Sequence, residues 1–581
     1  MNRQEILTAL RQKSQLSVLI VGAGINGIGT FRDLALQGVD VLLVDRADFC
    51  SGTSAASSHM AHGGIRYLEN GEFRLVREAV EERNRLLQNA PHYVKPLPTV
   101  IPIFRWFSGL FNAPLKFLGW LDKPSERGAA IIKMGLLMYD AYTAREDTGR
   151  EDTGREDTGH QRTVPRHELL LREQALQRYP QINPEIVCVA EYYDGLIQSP
   201  ERICVELIGD AEANSPSARA VNYVSVVGAS GENVQLRDEV SGDIFNIQPQ
   251  LVINAAGPWV DFANAALGRP SAFIGGTKGS HLVLNHPELR QAIGEHEFFF
   301  ENKDGRIVLL CPLLDRVLVG TSDIRLDAPD EAVCTDAEID YFLGMVSRVF
   351  PNIRIDKSQI VFTFSGVRPL PASKANSTGQ ISRDHSLEML EASNGLAFPI
   401  LNLISGKWTT FRAFAAQATD VALRRLGQPR QQATTHLPIG GGKEYPHTAV
   451  ARTAWVDKHQ QQSGLPRAQV EILFQRYGTL AAAMLSDIAA RSATGATIPL
   501  QQQSDYLVGE IAYLARQEKV VHLDDFVLRR SFLGISGRIT RPLLAELAEV
   551  VGEALGWSAA QRASEVARTT QILAMRHRVH L

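Results

Sequence analysis

The sequence predicts an α/β fold in which a Rossmann-like parallel sheet is interleaved with an antiparallel sheet and is followed by an all-helical region. Three observations support this fold class. A strand–helix–strand pattern with a glycine-rich turn occupies residues 16–46. Short strand patterns bounded by turn residues fill much of residues 170–330, which is typical of antiparallel pairing. Helical periodicity dominates from about residue 430 to the C-terminus.

The glycine-rich turn is the first segment with a chemical signature. Gly22, Gly24 and Gly27 fit G-x-G-x-x-G. In this motif the first glycine permits a tight turn, the second lets a pyrophosphate approach the backbone, and the third lets the helix pack on the strand. The second strand ends at Asp45, about 20 residues further on, where a carboxylate can accept hydrogen bonds from a ribose diol. Arg46 is compatible with a 2′-phosphate contact or with a solvated position. The segment therefore predicts dinucleotide binding.

Composition limits the class of protein. The chain has 581 residues, a formal net charge of −4 and 21% charged residues, so nothing indicates a nucleic-acid partner. The five cysteines form no C-x-x-C pair, which argues against an iron–sulfur cluster or a structural zinc site, and we predict no metal. The N-terminus lacks the apolar core of a signal peptide, and no run of about 18 apolar residues occurs. We expect a cytoplasmic protein of two or three domains.

A hydroxyl-rich stretch follows the second strand and ends in His62-Gly63-Gly64-Ile65-Arg66-Tyr67. Its hydroxyl residues are Thr53, Ser54, Ser57 and Ser58. One interpretation is a polar loop that caps the next helix, and the other is a set of donors beside a cofactor. The segment resembles the flavin-contacting and substrate-contacting stretch of FAD-dependent glycerol-3-phosphate dehydrogenases, where T-S-x-x-S-S precedes H-G-G-x-R-Y-L-E.

Two later segments carry the same resemblance. Residues 252–260 resemble the second cofactor strand of that family, with a tight turn at Ala256 and Gly257. Residues 278–281 match its K-G-S-H, which favours a functional role for His281 over a structural one. Between this histidine and the next match, residues 306–323 are predicted to form a hairpin of the antiparallel sheet.

The C-terminal half extends the match over nearly the whole chain. Arg368 lies between a predicted strand and a proline-enforced turn, where ligand-binding groups are often found. Lys407 lies in a G-K-x-T-T-x-R just before a predicted helix. Residues 523–534 resemble the family's C-terminal domain, and residues 436–446 read as the linker that precedes it.

The resemblance implies a glutathione-reductase-type FAD domain of the D-amino-acid-oxidase-like superfamily. It would be interleaved with the substrate domain over residues 1–430 (substrate portion roughly 90–250 and 270–365), with a helical domain at 431–581. The implied substrate is glycerol 3-phosphate and the implied acceptor a membrane quinone. The implied cofactor-binding residues are Gly22, Gly24, Asn26, Gly27, Asp45, Arg46, Thr53, Ser54, Ser57, Ser58, His62, Gly63, Gly64, Ala256, Gly257, Gly406, Lys407 and Thr409. The implied substrate-binding residues are Arg66, Tyr67, Arg368 and Lys407, and the implied catalytic ones are His281, Arg368 and His62.

Oxidation of a phosphorylated secondary alcohol makes two demands on these side chains. The phosphate dianion needs several cations, and arginine suits it through its bidentate fork. Arg66, Arg368 and Lys407 can supply them, while Tyr67 can add directional hydrogen bonds. The hydroxyl proton needs a base, and His281 is favoured because the ordinary imidazole pKa of about 6.5 lies near working pH. His62 stays an alternative.

Two departures from the family pattern affect these expectations. His59 stands where the family usually has a lysine, so one positive charge near the cofactor is lost at neutral pH. Ser405-Gly406-Lys407 replaces the usual G-G-K, which changes backbone freedom but keeps the cation.

Two segments fall outside the family pattern. Residues 104–123 interleave aromatic and basic residues, and they are interpreted either as a buried amphipathic hairpin or as an interfacial segment that meets anionic lipid. Residues 145–159 repeat REDTG three times, and a unit without apolar residues predicts a solvated loop.

Three alternatives remain open at this point. One is an oxygen-using oxidase of the same fold, another a related flavin amine or amino-acid oxidase, and the third an inactive flavin-binding scaffold, for which His59 is the main support. We favour a peripheral enzyme on the inner face of the cytoplasmic membrane, and a homodimer is compatible with the resemblance.

Overall fold

The computed structural model describes residues 2–64, 72–106, 128–148, 164–301, 307–326, 328–373, 381 and 383–581. Its helices are α1 (Arg3–Gln12), α2 (Ile25–Leu36), α3 (Phe73–Asn89), α4 (Ala129–Thr148), α5 (Arg172–Arg178), α6 (Pro200–Asn214), α7 (Val260–Ala266), α8 (Pro287–Ile293), α9 (Asp336–Val349), α10 (Phe411–Leu426), α11 (Ala449–Ser463), α12 (Arg467–Tyr477), α13 (Ala481–Ala490), α14 (Val508–Gln517), α15 (Leu523–Asp525), α16 (Arg541–Leu555) and α17 (Ala559–His577). Its strands are β1 (Gln15–Val21), β2 (Val41–Val44), β3 (Met60–Ala61), β4 (Val94–Ile103), β5 (Glu168–Leu171), β6 (Cys188–Ile197), β7 (Ala218–Val221), β8 (Val224–Ser230), β9 (Asn233–Asp238), β10 (Ile244–Asn254), β11 (Thr277–Leu284), β12 (Glu297–Glu301), β13 (Ile307–Leu313), β14 (Arg316–Gly320), β15 (Ile324–Arg325), β16 (Ile360–Arg368), β17 (Ser386–Leu390) and β18 (Ile400–Ile404).

The first sheet is the parallel sheet predicted from residues 16–46. Its strand order is β17-β18-β10-β1-β2-β7, and β9 joins it through β10. The strands from β18 to β7 are parallel, whereas β17 pairs with β18 in the antiparallel direction. β2 is buried at every position, as expected for a parallel strand covered on both faces. α2 packs against α6 and α10. The predicted Rossmann-like fold class is confirmed.

The second sheet has the order β15-β11-β14-β13-β12-β4-β6-β3, with β16 also paired with β11 and β5 with β6. Its pairs are antiparallel except the one between β12 and β4. β13 and β14 form the predicted hairpin, with Leu314 and Asp315 in the turn. β11 lies between β14 and β16, so the K-G-S-H segment is in the middle of the sheet.

Residues 90–250 contribute to both sheets. β4, β5 and β6 belong to the second sheet, whereas β7 and β10 belong to the first and α6 packs beside α2. The two sheets therefore alternate along the chain more often than two continuous substrate segments would imply.

The C-terminal helices pack onto the second sheet through a shared core. One hydrophobic cluster joins Leu547 and Leu573 of these helices with Val283, Leu313 and Phe362 of the sheet. The predicted helical region is thus present, and its core is continuous with that of the substrate-side sheet.

A buried ion-pair cluster ties the C-terminal helices to the first sheet. Asp48 follows β2 and is fully buried. Its Oδ2 lies 2.5 Å from Arg529 Nε and 2.7 Å from Arg530 Nη1. Burial alone would raise the pKa of Asp48, but the two guanidinium groups outweigh burial and lower the pKa well below its ordinary value.

We expect Asp48→Ala to lower the free energy of unfolding by about 3–5 kcal/mol, because two buried guanidinium groups lose a shared carboxylate. Chemical denaturation of the holoprotein measures this. The matched control is Glu549→Ala, which breaks an exposed ion pair with Arg562 and should cost about 0–1 kcal/mol. Equal losses in the two variants would contradict the structural role of the cluster.

The interpretation of residues 436–446 as a linker is wrong for its central glycines. Gly440, Gly441 and Gly442 are buried. Gly441 N donates to Glu206 Oε2 (3.0 Å), and Gly440 N donates to Asp210 Oδ2 (3.1 Å). Glycine permits this because a Cβ at residue 441 would overlap the backbone at Tyr477. The segment is a packed connection between α6 and the C-terminal helices.

The REDTG repeat and the aromatic segment are described in part. α4 extends to Thr148, so the first four repeat residues are helical rather than a loop. Arginine and glutamate favour helix, which explains the extension. Residues 149–159 lie outside the described residues, as do residues 107–123 of the aromatic segment. Over the described ranges, the structure contains no helix long and apolar enough to cross a membrane.

Candidate active site

A cavity of about 2070 Å³ lies between the two sheets. Its walls come from the carboxyl ends of β1 and β2, from the hydroxyl-rich loop, from one face of the second sheet and from the C-terminal helices. Ligands of open parallel sheets bind at such strand ends. The volume exceeds the roughly 300–1,000 Å³ of a typical small-molecule pocket, which leaves room for a dinucleotide and a substrate together.

The glycines of the first turn have separate structural roles. Gly22 has φ +105°, and a Cβ there would lie 2.7 Å from Ala255 O. Gly27 allows α2 to approach the turn, since its Cβ would overlap Gly22 O. Gly24 has an ordinary extended backbone and faces the cavity, where its Cβ would meet only Ser54 Oγ at 3.1 Å. Gly22 and Gly27 are therefore required by the fold, whereas Gly24 leaves space for a ligand.

The carboxylate of Asp45 is held at the edge of the cavity. Oδ2 accepts a hydrogen bond from Ala23 N (2.7 Å), and Oδ1 accepts one from Ala47 N (2.9 Å). Burial raises the pKa of Asp45 to about 6. Arg46 pairs with Asp330 and stacks over Trp259, 5.0 Å from the ring centroid. Arg46 therefore lies on the cavity wall in a defined contact.

The hydroxyl-rich loop forms one wall of the cavity. Ser54 Oγ accepts a hydrogen bond from Ile25 N (2.9 Å) at the start of α2, so it caps that helix and not α3. Thr53 Oγ1 donates to Val367 O (2.7 Å), and Ser58 Oγ lies 2.9 Å from His281 Nε2. Ser57 also lines the cavity. The loop therefore contacts both sheets along the cavity wall, and its role as a cofactor contact stays a prediction.

The turn predicted to be the second cofactor contact lies directly beside the first glycine turn, since a Cβ at Gly22 would lie 2.8 Å from Ala256 Cα. Ala256 and Gly257 follow β10, line the cavity, and include a positive φ of +57° at Gly257. Gly406, with φ +97°, precedes α10, and its Cβ would overlap Asn26. Asn26 Oδ1 is buried and has no hydrogen-bond partner among the described residues. Asn26 lines the cavity, so an acceptor that lacks a donor lies in its wall.

The His62-Gly63-Gly64 segment is fixed by a buried polar cluster that the sequence did not reveal. His62 N donates to Thr409 Oγ1 (3.1 Å). Gly63 N donates to Asp194 Oδ1 (3.0 Å), which also accepts from Tyr139 OH (2.5 Å). Asp194 and Tyr139 come from β6 and α4, and no local spacing links them to the motif. Arg66 and Tyr67 lie outside the described residues, so their roles stay predictions.

His281 projects from β11 into the cavity. Strand alternation places Gly279 and His281 on the cavity face, whereas Lys278 pairs with Glu338 (2.8 Å) on the other face. The imidazole stacks on Phe364, with 4.7 Å between ring centroids. Burial, with a further contribution from the charge of Arg368, lowers the pKa of His281 to about 3. The ordinary pKa that we expected is therefore wrong for this site, and the imidazole is neutral.

Several cations line the cavity, and two of them share one carboxylate. Arg368, Arg383 and Lys407 all line it. Arg368 Nη1 lies 3.3 Å from Asp323 Oδ1, and Arg383 Nη2 lies 3.9 Å from Asp323 Oδ2. Arg383 and Asp323 were not predicted as site residues, because neither lies in a matched motif. The I-S-R-D-H context of Arg383 was the available signal.

His59 does not supply a charge. It is buried, and its Nδ1 lies 3.1 Å from Ile197 O. Burial lowers the pKa of His59 to about 4, so the ring is neutral at pH 7. The loss of charge expected from the lysine-to-histidine departure is consistent with this environment.

Comparison with known proteins agrees with this geometry. The model described as FAD dependent oxidoreductase matches residues 17–398, and the model described as C-terminal domain of alpha-glycerophosphate oxidase matches residues 432–562. Glycerol-3-phosphate dehydrogenase of Synechocystis sp. is 31% identical over 572 residues, which cover 95% of each chain. The chain belongs to the FAD-dependent glycerol-3-phosphate dehydrogenase family.

Other relatives extend the comparison. The structure of a glycerol-3-phosphate dehydrogenase from Bacillus halodurans complexed with FAD has a TM-score of 0.73 at 20% identity, covering 99% of this chain and 98% of that one, so the fold is shared. D-erythritol 1-phosphate dehydrogenase of Brucella abortus is 29% identical over 88% of this chain and 93% of that protein.

The residues of the cavity fit FAD, the cofactor of this family. The open space over Gly24 and the N–H groups at the start of α2 suit a pyrophosphate. The carboxylate of Asp45 suits a ribose diol, and the unpaired Asn26 Oδ1 needs a donor. We therefore assign an FAD-dependent oxidoreductase.

Proposed function

We propose that the chain oxidises sn-glycerol 3-phosphate to dihydroxyacetone phosphate and passes the electrons to a membrane quinone. The observation that carries this proposal is that Arg368, which shares a sheet face with His281, is bridged through Asp323 to Arg383 in the cavity that fits FAD, a cavity that Lys407 also lines. A buried phosphate dianion requires several cations, because an uncompensated charge in a protein interior costs several kcal/mol. The relatives' names support the choice of substrate.

In this proposal the side chains divide the work. Arg368, Arg383 and Lys407, together with the predicted Arg66, bind the phosphate and orient the carbinol. The hydroxyl proton passes to His281 Nε2, which now lies 2.9 Å from Ser58 Oγ, while His62 is the second candidate base. Bound FAD supplies the acceptor for the C2 hydride. The substrate's negative charge offsets the effect of Arg368 and raises the pKa of His281 as the proton arrives.

Steady-state turnover with a water-soluble dye tests the substrate. We expect glycerol 3-phosphate to be oxidised with a kcat/KM at least about 100-fold above that of glycerol, which lacks the phosphate that the cations bind. The kcat/KM for D-erythritol 1-phosphate tests whether the part of the site around the carbinol distinguishes this longer phosphorylated alcohol from glycerol 3-phosphate. Comparable kcat/KM values for glycerol and glycerol 3-phosphate would refute the role of the cations.

Oxygen is the second candidate acceptor, because the matched C-terminal model is described by the name of an oxidase. The two acceptors are separated by measuring hydrogen peroxide in air and reduction of a short-chain quinone under argon. The proposal expects quinone reduction to dominate. Stoichiometric peroxide with no quinone reduction would assign an oxidase.

A quinone acceptor requires contact with the membrane, and the aromatic segment is our candidate for it. Trp106 is 41% exposed, and Phe107 and Phe111 lie outside the described residues. We expect the triple change Trp106→Ser, Phe107→Ser and Phe111→Ser to release the enzyme from anionic liposomes and to slow quinone reduction, since each buried aromatic contributes about 1.5–3 kcal/mol. Dye-linked activity should survive.

The matched control replaces three exposed apolar residues elsewhere with serine: Val450, Ile498 and Met575, which are 81%, 57% and 66% exposed. It should sediment with liposomes like the parent. If the aromatic variant also sediments like the parent, the segment is not the anchor. Loss of dye-linked activity would instead place these side chains in the core.

A further inference from the structure

One contact inside the cavity fixes the position of the Arg368 guanidinium. The guanidinium of Arg368 does not extend freely from the end of β16. It lies across the neighbouring strand β11, directly over Gly279. A Cβ at this glycine would overlap Arg368 Nη2 and would lie 2.7 Å from Thr321 Oγ1, which accepts a hydrogen bond from that guanidinium, and 2.8 Å from Arg368 Cζ. The absence of a side chain at Gly279 is what leaves room for the guanidinium.

The pairing of strands explains why the guanidinium can reach this place. Arg368 is opposite Thr277 on β11, and opposed residues of antiparallel strands share a face. Gly279 and His281 follow on the same face at steps of two residues. A side chain that leaves Arg368 and bends along the sheet therefore crosses Gly279 on its way toward the imidazole of His281.

The far side of the guanidinium is held by the segment after β14. Arg368 Nη2 donates to Thr321 Oγ1 (3.0 Å) and to Ser322 O (3.1 Å), and Nη1 lies 3.3 Å from Asp323 Oδ1. These contacts hold the guanidinium against β11, and Thr321 Oγ1 shares with it the space over the backbone of Gly279. The φ of Gly279 is not positive, so its backbone conformation is open to other residues.

We propose that Gly279 is a positioning residue, whose missing side chain seats the Arg368 guanidinium beside His281 for contact with the substrate anion. The proposal deepens the proposed function and rests on it. Gly320 shows the same device one strand away, because its Cβ would overlap the ring of His281. Because neither glycine has a side chain, the Arg368 guanidinium and the His281 ring can lie close to the sheet. A displacement of a catalytic or binding group by about 1 Å can lower the rate about 100-fold.

The test is a double-mutant cycle on holoprotein with normal FAD content. Gly279→Ala should lower kcat/KM for glycerol 3-phosphate by about 100-fold, close to the loss in Arg368→Ala, and the two changes together should cost no more than Arg368→Ala alone. Combined with Arg368→Lys, which removes the forked end, Gly279→Ala should change kcat/KM by less than about threefold. Gly344→Ala is the control, since nothing lies within 4 Å of its Cβ position in α9.

A second readout follows from the charge of Arg368, which depresses the pKa of His281. If Gly279→Ala moves the guanidinium away, the acid limb of the kcat/KM profile should move to higher pH, as it should in Arg368→Ala. A general loosening of the strand would also raise the pKa of His281, because it would admit water to the buried ring. The deciding comparison is therefore the double variant: adding Gly279→Ala to Arg368→Ala should not move the acid limb further, whereas loosening would.

The outcomes separate the two proposals. Wild-type kinetics for Arg368→Ala would overturn the assigned role of Arg368 and, with it, the positioning role of Gly279. If Arg368→Ala loses activity but Gly279→Ala keeps wild-type kinetics, only the positioning role of Gly279 is overturned. If Gly279→Ala fails to fold, the proposal expects Gly279→Ala with Arg368→Lys to fold and to bind FAD. Failure of that double variant would place the decisive clash with Thr321 or with the strand itself and would also overturn the proposed role of Gly279.

Discussion

Arg368→Ala should lower kcat/KM for glycerol 3-phosphate by at least about 100-fold while FAD stays bound. The guanidinium is fixed in the cavity by Thr321, Ser322 and Asp323, and it approaches His281 closely enough to affect the pKa of that ring. Its removal takes away a charge-assisted contact with the substrate anion. It does not touch the glycine turns that fit the cofactor.

Steady-state kinetics with a soluble dye, together with the flavin-to-protein ratio, measures this effect. The matched control is Arg491→Ala, which removes an arginine that pairs with Asp487 on the surface of the C-terminal helices. We expect its kcat/KM to stay within about twofold of the parent, because exposed ion pairs contribute little. Parent-like kinetics for Arg368→Ala would show that this cation does not act on the substrate.

Gly24→Val should give a folded protein that does not retain FAD. The backbone at Gly24 is extended, with φ −78° and ψ 175°, so valine is compatible with the turn. Its side chain would project past Ser54 Oγ into the space where a pyrophosphate must approach the backbone. Gly27→Ala should behave differently and destabilise the fold, because its Cβ overlaps Gly22 O.

The flavin absorbance of the purified protein and its thermal transition separate these effects. Gly209→Val serves as the control, since nothing lies within 4 Å of the Cβ position of this helical glycine. It should retain FAD like the parent. A folded Gly24→Val protein with the parent's flavin content would contradict the assignment of the pyrophosphate site.

Features set by short spacing were predictable from the sequence. The glycine turn, Asp45 and the hairpin at Leu314 depend on patterns within about 30 residues. The sequence indicated His281 as a candidate because it lies in a family motif. It did not indicate the lowered pKa of His281, because the burial and the nearby charge of Arg368 that cause it arise only when the two sheets pack around the ring.

Features set by long-range packing were missed. The support of Gly63 by Asp194, and the bridge from Arg368 to Arg383 through Asp323, join residues far apart in the chain. The seat at Gly279 depends on a side chain from a neighbouring strand. Arg66, Tyr67 and most of the aromatic segment lie outside the described residues and stay predictions.

The central claim is that this cavity oxidises a phosphorylated alcohol with bound FAD, and one measurement tests it directly. Holoprotein is mixed with glycerol 3-phosphate under anaerobic conditions while the flavin band at about 450 nm is recorded. We expect this band to bleach with glycerol 3-phosphate and to stay unchanged with the same concentration of glycerol. If the band stays unchanged with glycerol 3-phosphate, although dithionite still reduces the same bound flavin, the assignment of the cavity to this reaction is contradicted.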